Sequence, residues 1–452
     1  MIPLPTQLSG GLFLARNRHA MLADEPRVGK TGAAILAADY NLERDILVVT
    51  TSSGRPVWNR AFPAWSDLRR PVRVLSGPPP SHSMALAGVS IVGWGQIAEP
   101  AMRAALLSHR FDRTILDEAH AAKNFETKRT QAAFGLLRDD GAALDTAAAI
   151  VARAAGTWLL TGTPLPHDPS DIYPALRALA PDRLAADEAR GWPDVTRYSA
   201  FERRYCVVRM KKTSRFRKIP VIVGGRNTDE LNARLQGFML KRTQQDVGIR
   251  EPIYELLPLA VSEAMRRQAE GDLDREAILK AIDDGKTRDL EMHLGALRRN
   301  TGVLKARAVI DAVKDEFESG LDKIVLMYWH KEVGDALALG LEKFGVLRLD
   351  GATSPTQRGP IEQAFLHDKS KRVFLGQIVA AGEAIDLSSA AVLWFVEQSF
   401  TPKDMKQAAL RVTNHSQTRQ VLVRVCVIEG SIDEAIQASL MRLWTAIREV
   451  LA

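Results

Sequence analysis

The chain has 452 residues, 46% of them hydrophobic and 25% charged, an ordinary globular usage that excludes disordered, collagen-like and mucin-like classes. Its two cysteines, Cys206 and Cys426, exclude a disulfide framework and a cysteine-based zinc module and suit a reducing compartment. Basic residues exceed acidic ones by 61 − 54 = 7, an excess compatible with a polyanionic partner and equally with a solvated basic surface.

At roughly 150 residues per domain, the length predicts about three domains or two larger ones. No apolar run reaches the length of a membrane span. The opening residues, MIPLPTQLSGG, lack the charged and apolar regions of a signal peptide, so the expected location is cytoplasmic. In chain order, short apolar runs rich in β-branched residues fall at 46–51 (ILVVTT), 89–92 (VSIV), 114–117 (TILD) and 157–161 (TWLLT). A second series follows at 323–328 (KIVLMY), 346–349 (VLRL), 372–375 (RVFL), 391–396 (AVLWFV) and 421–428 (VLVRVCVI). Runs apolar on both faces read as parallel strands covered by helices on each side. The prediction is therefore an α/β protein. One α/β layer spans 1–181, a middle section spans 182–300, and a second α/β layer spans 301–452. The middle section carries the densest basic cluster, RMKKTSRFRK, with Arg209, Lys211, Lys212, Arg215, Arg217 and Lys218. With Gly224-Gly225 as a turn signal, the cluster reads as one arm of a hairpin, with a solvated charged hairpin or a nuclear localisation signal as the alternatives to a polyanion contact.

Two motifs carry chemistry. The segment 23–31, ADEPRVGKT, ends in Gly29-Lys30-Thr31 and runs into the helical pattern GAAILAADY. That is the arrangement of a phosphate loop. Backbone N–H groups wrap phosphates, a lysine reaches the terminal ones, and a hydroxyl binds Mg²⁺. Asp24 stands where the full pattern has its first glycine, and a plain surface turn before a helix remains the alternative. Asp117-Glu118-Ala119-His120 closes the run TILD. A carboxylate at the C-terminal end of a strand sits where α/β sheets bind ligands. Asp117 would hold Mg²⁺ and Glu118 would orient the attacking water; an acidic helix start is the alternative.

With these motifs the chain resembles a superfamily-two helicase, and more narrowly a Swi/Snf-type DNA translocase, over almost its whole length. Residues 111–130, FDRTILDEAHAAKNFETKRT, resemble that family's second motif, and 157–173, TWLLTGTPLPHDPSDIY, its third. Residues 46–62, with Trp58, resemble motif Ia, and 238–247, FMLKRTQQDV, the basic linker between lobes. Leu349-Asp350-Gly351, then 380–387 (AAGEAIDL) and 407–411 (QAALR), resemble motifs of the second lobe. FERRYC at 201–206 and WHKEV at 329–333 resemble the distant branch of annealing helicases and fork remodellers. The short middle section points to a compact bacterial or viral member.

The resemblance implies two RecA-like lobes with a small helical and β-hairpin insertion between them, using ATP and Mg²⁺ and acting on duplex, forked or branched DNA as a monomer, alongside replication or recombination proteins. It implies catalytic roles for Lys30, Asp117, Glu118 and Arg411. It implies nucleotide contacts from Gln7, Arg27, Val28, Gly29, Lys30, Thr31, Gly32 and His120, with Thr31 and Asp117 on the metal. DNA contacts would come from Ser52, Ser53, Thr163, Lys331 and Thr353 as well as the basic hairpin. His120 would couple nucleotide state to the third motif. Two departures stand out. Arg27 replaces a glycine of the family's loop, and Asn414 replaces a second arginine of its sixth motif. Either Arg411 supplies the charge, or another arginine such as Arg419 does, or hydrolysis is slow. The expected function is an ATP-dependent translocase that remodels branched DNA. A conventional unwinding helicase on DNA or RNA and a non-hydrolysing nucleic-acid scaffold are the alternatives.

Overall fold

The strands come from residues that are buried on both faces, and that follows from their composition. In a computed structural model of the chain, the structure describes residues 2–78, 86–141, 143–162, 164–165, 168–212, 218–264, 267, 287–381, 385–397, 402–414, 417–429 and 434. The chain divides into two compact units, residues 1–247 and 248–452.

The first unit runs α1 (Pro5–Ala15), β1 (His19–Leu22), α2 (Lys30–Tyr40), β2 (Ile46–Thr50), α3 (Gly54–Trp65), β3 (Val72–Val74), β4 (Val89–Gly93), α4 (Pro100–Leu107) and β5 (Phe111–Asp117). It continues with α5 (Lys128–Phe134), the short strands β6 (Leu136–Arg138) and β7 (Ala143–Asp145), β8 (Ala154–Leu160), α6 (Tyr173–Leu179) and α7 (Tyr198–Tyr205). It ends with β9 (Cys206–Lys212), β10 (Lys218–Gly225), α8 (Thr228–Leu235) and β11 (Met239–Leu240). Seven strands form a parallel sheet in the order β11-β1-β8-β5-β2-β4-β3. Alternate residues of each strand feed two cores. Leu47, Val49, Leu116 and Leu159 pack on one face, and Ile46, Val48, Ile115 and Trp158 on the other. Burial on both faces explains why these runs carry no polar alternation.

The second unit builds another parallel sheet, in the order β12-β17-β16-β13-β15-β14. Its strands are β12 (Ile253–Leu259), β13 (Ile324–Tyr328), β14 (Val346–Leu349), β15 (Val373–Gln377), β16 (Val392–Phe395) and β17 (Leu422–Ile428). The helices Thr287–Glu318, Lys331–Gly340, Pro355–His367 and Pro402–Ala409 lie between them in sequence. Two cores again line the two faces. Among the described residues no helix is long and apolar enough to cross a membrane.

The expected middle section, 182–300, is divided by the structure. Phe201, Tyr205, Leu231, Leu235 and Phe238 join a core of the first sheet, which draws residues 182–247 into the first unit. The helix Thr287–Glu318 belongs to the second. The basic cluster does lie on an antiparallel hairpin, β9 with β10. Gly224-Gly225 is not its turn. The pair closes β10, where the register shifts between Ile222 and Gly224.

Candidate functional site

The C-terminal ends of β1, β5, β2 and β4 lie at one edge of the first sheet, and the candidate site is built from the segments that leave them. After β1 the chain turns through 23–29 into α2. Gly29 is the N-cap of α2 at φ +103°, a left-handed conformation that favours glycine. A Cβ there would also fall 2.7 Å from the Gln7 side chain. Gln7, on α1, is buried against this loop, and its Oε1 accepts a 2.8 Å hydrogen bond from the Leu4 N–H. The Lys30 ammonium donates to the carbonyls of Asp24 (2.6 Å) and Glu25 (3.1 Å). Arg27 is held at φ +72°. The left-handed backbone accounts for the glycine expected at this place, and a side chain there costs about 1–2 kcal/mol.

Asp24 is fully buried and paired with Arg242. Arg242 Nε donates to Asp24 Oδ1 (3.0 Å), and a second nitrogen donates to Oδ2. The remaining guanidinium nitrogen donates to the Thr6 carbonyl (2.7 Å) and the Ser9 hydroxyl (2.8 Å) of α1. Gln244 reinforces the clamp, donating from its backbone to Glu25 Oε2 (2.9 Å) and from its side chain to the Pro26 carbonyl (2.8 Å). The segment 238–247 therefore fastens the loop 23–29 to the helix that carries Gln7. The sequence pattern alone marks that segment as a basic linker and gives Arg242 no role of its own.

Asp117 ends β5. Its Oδ2 accepts from the Thr50 hydroxyl (2.7 Å) and the Trp58 indole N–H (2.8 Å), and its backbone carbonyl accepts from the Trp94 indole (2.8 Å). Among the described residues its Oδ1 accepts no hydrogen bond. Burial above all, and then the Glu118 carboxylate, push the Asp117 carboxyl above the ordinary range; Trp58, Thr50 and Lys30 pull the other way. Glu118 follows at φ +50°, with its side chain partly exposed. His120 Nδ1 lies 3.2 Å from Glu118 Oε2 and 3.1 Å from the Thr161 hydroxyl, so it links the acidic pair to the start of the third motif. Thr50, Trp58 and Trp94 carry no local sequence signal for this role, since core packing is the default for a tryptophan. Trp58 is in the core and also donates to the carboxylate.

The set suits a triphosphate with Mg²⁺. No side-chain cap covers the start of α2, the cation of Lys30 lies on the loop, and Thr31 and Asp117 offer hard oxygen ligands. Val28 is buried within the loop, and a Cβ at Gly32, in the first turn of α2, would fall 2.8 Å from the Gln7 amide nitrogen.

The nucleic-acid candidates are less uniform. Ser52 is exposed between β2 and α3, whereas Ser53 is buried with its hydroxyl 3.0 Å from that of Thr51. Arg209 is exposed on β9, and Lys211, Lys212 and Lys218 lie at the paired ends of β9 and β10. Thr163, Arg215 and Arg217 lie outside the described residues. In the second unit Lys331 is exposed at the first turn of its helix. The Thr353 hydroxyl accepts from the Asp350 N–H (3.0 Å) in a local turn. Arg411 follows the helix Pro402–Ala409, and its carbonyl accepts from Leu387. Asn414 donates to the Ser388 hydroxyl (2.5 Å) and approaches Asp386 (3.5 Å), which fixes the segment after 380–387. Arg419 is corrected as an alternative finger. It bonds the Ser389 carbonyl (2.7 Å) and lies 3.8 Å from Asp322, which precedes β13, so it stands at the N-terminal edge of the sheet.

Comparison with known proteins bears on the whole arrangement. The model of the SNF2-related domain matches residues 12–266, more than half of the chain. The chain is 25% identical over 97% of its length to the human DNA annealing helicase and endonuclease ZRANB3, and 29% identical over 99% to the SWI/SNF-related matrix-associated actin-dependent regulator of chromatin subfamily A-like protein 1 of Xenopus tropicalis. It spans only 39% and 44% of those two proteins. A solved Sulfolobus solfataricus SWI2/SNF2 ATPase core in complex with dsDNA aligns over 96% of this chain and 89% of its own at 20% identity, with a TM-score of 0.44. The candidate phosphate loop and the acidic end of β5 lie within the matched residues, and the chain belongs to the SNF2-related domain family, as a superfamily-two, Swi/Snf-type member with an α/β fold built on two parallel sheets.

Proposed function

We propose that the protein is a DNA-dependent ATPase that translocates on duplex or forked DNA and remodels branched structures by fork regression, branch migration or strand annealing. The observation that carries this reading is the convergence of Lys30 and Asp117 on one sheet edge in an SNF2-related chain. The names of the matched relatives, which include a DNA annealing helicase, supply the substrate class.

In this proposal the N-terminus of α2 and Lys30 bind the triphosphate, and Gln7 lines the loop beside it. Thr31 and Asp117 would hold Mg²⁺, which supplies charge neutralisation at the transferred phosphoryl group. Glu118 orients the attacking water and accepts its proton. His120 relays the position of Glu118 to Thr161. Arg411 is the arginine of the second unit that serves hydrolysis. Ser52, Arg209 and Lys331 hold DNA through its phosphates, contacts that position without reading sequence. A cytoplasmic setting belongs to the same reading and is supported by two buried free cysteines.

The test is a pair of substrates: a model replication fork with complementary arms and a simple tailed duplex. The proposal expects ATP-dependent regression of the fork and annealing of its arms. Displacement of the tailed strand without any action on the fork would favour a conventional unwinding helicase instead.

A further inference from the structure

The hydrogen bonds that fix Asp117 come from the segment that carries the candidate motif Ia contacts. Thr50 is the last residue of β2, and Trp58 lies on the second turn of α3. Both donate to the same oxygen, Oδ2, at 2.7 and 2.8 Å. Two donors on one oxygen set the plane of the carboxylate and leave Oδ1 for another partner. Both donors are buried, Thr50 completely and Trp58 to 1% exposure, so water cannot replace them cheaply.

The link continues to the surface. Gly54 opens α3, and a Cβ there would lie 2.1 Å from the Thr50 hydroxyl. The turn 51–54 therefore rests directly on the group that holds Asp117. Within the turn the Gly54 N–H donates to the Thr51 hydroxyl (3.1 Å), which contacts Ser53 (3.0 Å). Ser52 faces outward on the same turn. Close-packed interiors transmit small displacements rather than absorbing them. A shift of α3 by a few tenths of an ångström must either carry the Asp117 carboxylate with it or lengthen the Trp58 hydrogen bond, and through Gly54 it presses on the Thr50 hydroxyl as well.

We propose that Thr50 and Trp58 are positioning residues that couple DNA contact at the turn 51–54 to the orientation of Asp117, so that bound duplex tightens the affinity of the nucleotide site for Mg²⁺. The inference rests on the DNA-dependent ATPase reading. Because linkage is reciprocal, adding Mg²⁺ to the nucleotide-bound protein must tighten duplex binding by the same factor.

The test uses the full chain and equilibrium binding. Mg²⁺ is titrated against a fluorescent, non-hydrolysed ATP analogue with and without saturating blunt duplex, and duplex affinity is measured in saturating analogue with and without Mg²⁺. In the wild type, duplex should lower the half-saturating Mg²⁺ about fivefold or more, the lower end of ordinary allosteric coupling. Trp58→Phe and Thr50→Val should bring that factor close to one, and Thr50→Ser, which keeps the hydroxyl, should restore it. Should Trp58→Phe fail to fold, Thr50→Val with its Ser counterpart decides the matter. Variants that keep the wild-type factor would overturn the inference. So would an equal loss of affinity with and without duplex, or a wild type whose hydrolysis is stimulated by duplex while its Mg²⁺ half-saturation stays fixed. A wild type whose hydrolysis ignores DNA altogether instead removes the function on which the inference rests.

Discussion

Asp117 and Glu397 occupy matching places, each at or just after the C-terminal end of a central strand, β5 and β16, yet their surroundings differ. Glu397 is saturated. Its Oε2 accepts the N–H groups of Trp329 and His330, both at 2.8 Å, and its Oε1 lies 2.6 Å from His330 Nδ1. Asp117 places both side-chain donors on Oδ2. A buried carboxylate whose oxygens are all engaged holds a turn together. One with an oxygen that accepts no hydrogen bond among the described residues has room for a further partner. Glu397 accordingly holds a turn of the second unit together, and the proposed function gives Asp117 its chemistry in the first.

Substitutions can break that comparison. The largest effect is expected for Asp117→Asn, which should lower hydrolysis by about 10²-fold or more, the scale for losing a charge at a transition state. Its stability should move the other way. A carboxyl whose folded pKa lies above its unfolded value costs stability at neutral pH, and the cost disappears as pH falls through the raised pKa. Without Mg²⁺, Asp117→Asn should therefore melt at or above the wild-type temperature at pH 7, and the gap should close on acidification. Melting curves across pH check this. Next is Arg242→Ala, which leaves the fully buried Asp24 unpaired and should cost about 3–5 kcal/mol in denaturant unfolding of the first unit. Asp24→Asn in the same background should recover part of the loss. Glu397→Gln should cost about 1–3 kcal/mol while hydrolysis falls far less than in Asp117→Asn. A variant that loses activity as Asp117→Asn does, with no loss of stability, would break the contrast. Smallest is Arg27→Gly, where relief of the left-handed backbone should raise stability by about 1 kcal/mol, seen as a melting shift of a few degrees.

The same contrast marks how far the sequence alone could disclose the molecule. Strands β2, β4, β5 and β8, and β13 to β17, were legible because burial on both faces demands runs of apolar residues. Strands β1 (HAML), β3 (VRV) and β11 (ML) were not, since none is an unbroken apolar run containing β-branched residues. Strand β12 was hidden by Pro258, tolerated because β12 is an edge strand. The helix start at Lys30 and the strand end at Asp117 were legible because local spacing marks them. Trp58, Thr50 and Arg242 were not. Their partners lie 59, 67 and 218 residues away in sequence, and only the folded sheet brings them together. The expected boundary at 181/182 missed for the same reason, because Phe201 and Tyr205 join a core made by strands far upstream.

The most direct test of the central claim is steady-state ATP hydrolysis by the wild type and Lys30→Ala across single-stranded, duplex, forked and four-way DNA. The account predicts a low rate without DNA, strong stimulation by duplex or forked DNA, and no turnover in Lys30→Ala on any substrate. A wild-type rate indifferent to DNA, or turnover that survives the loss of Lys30, would contradict it.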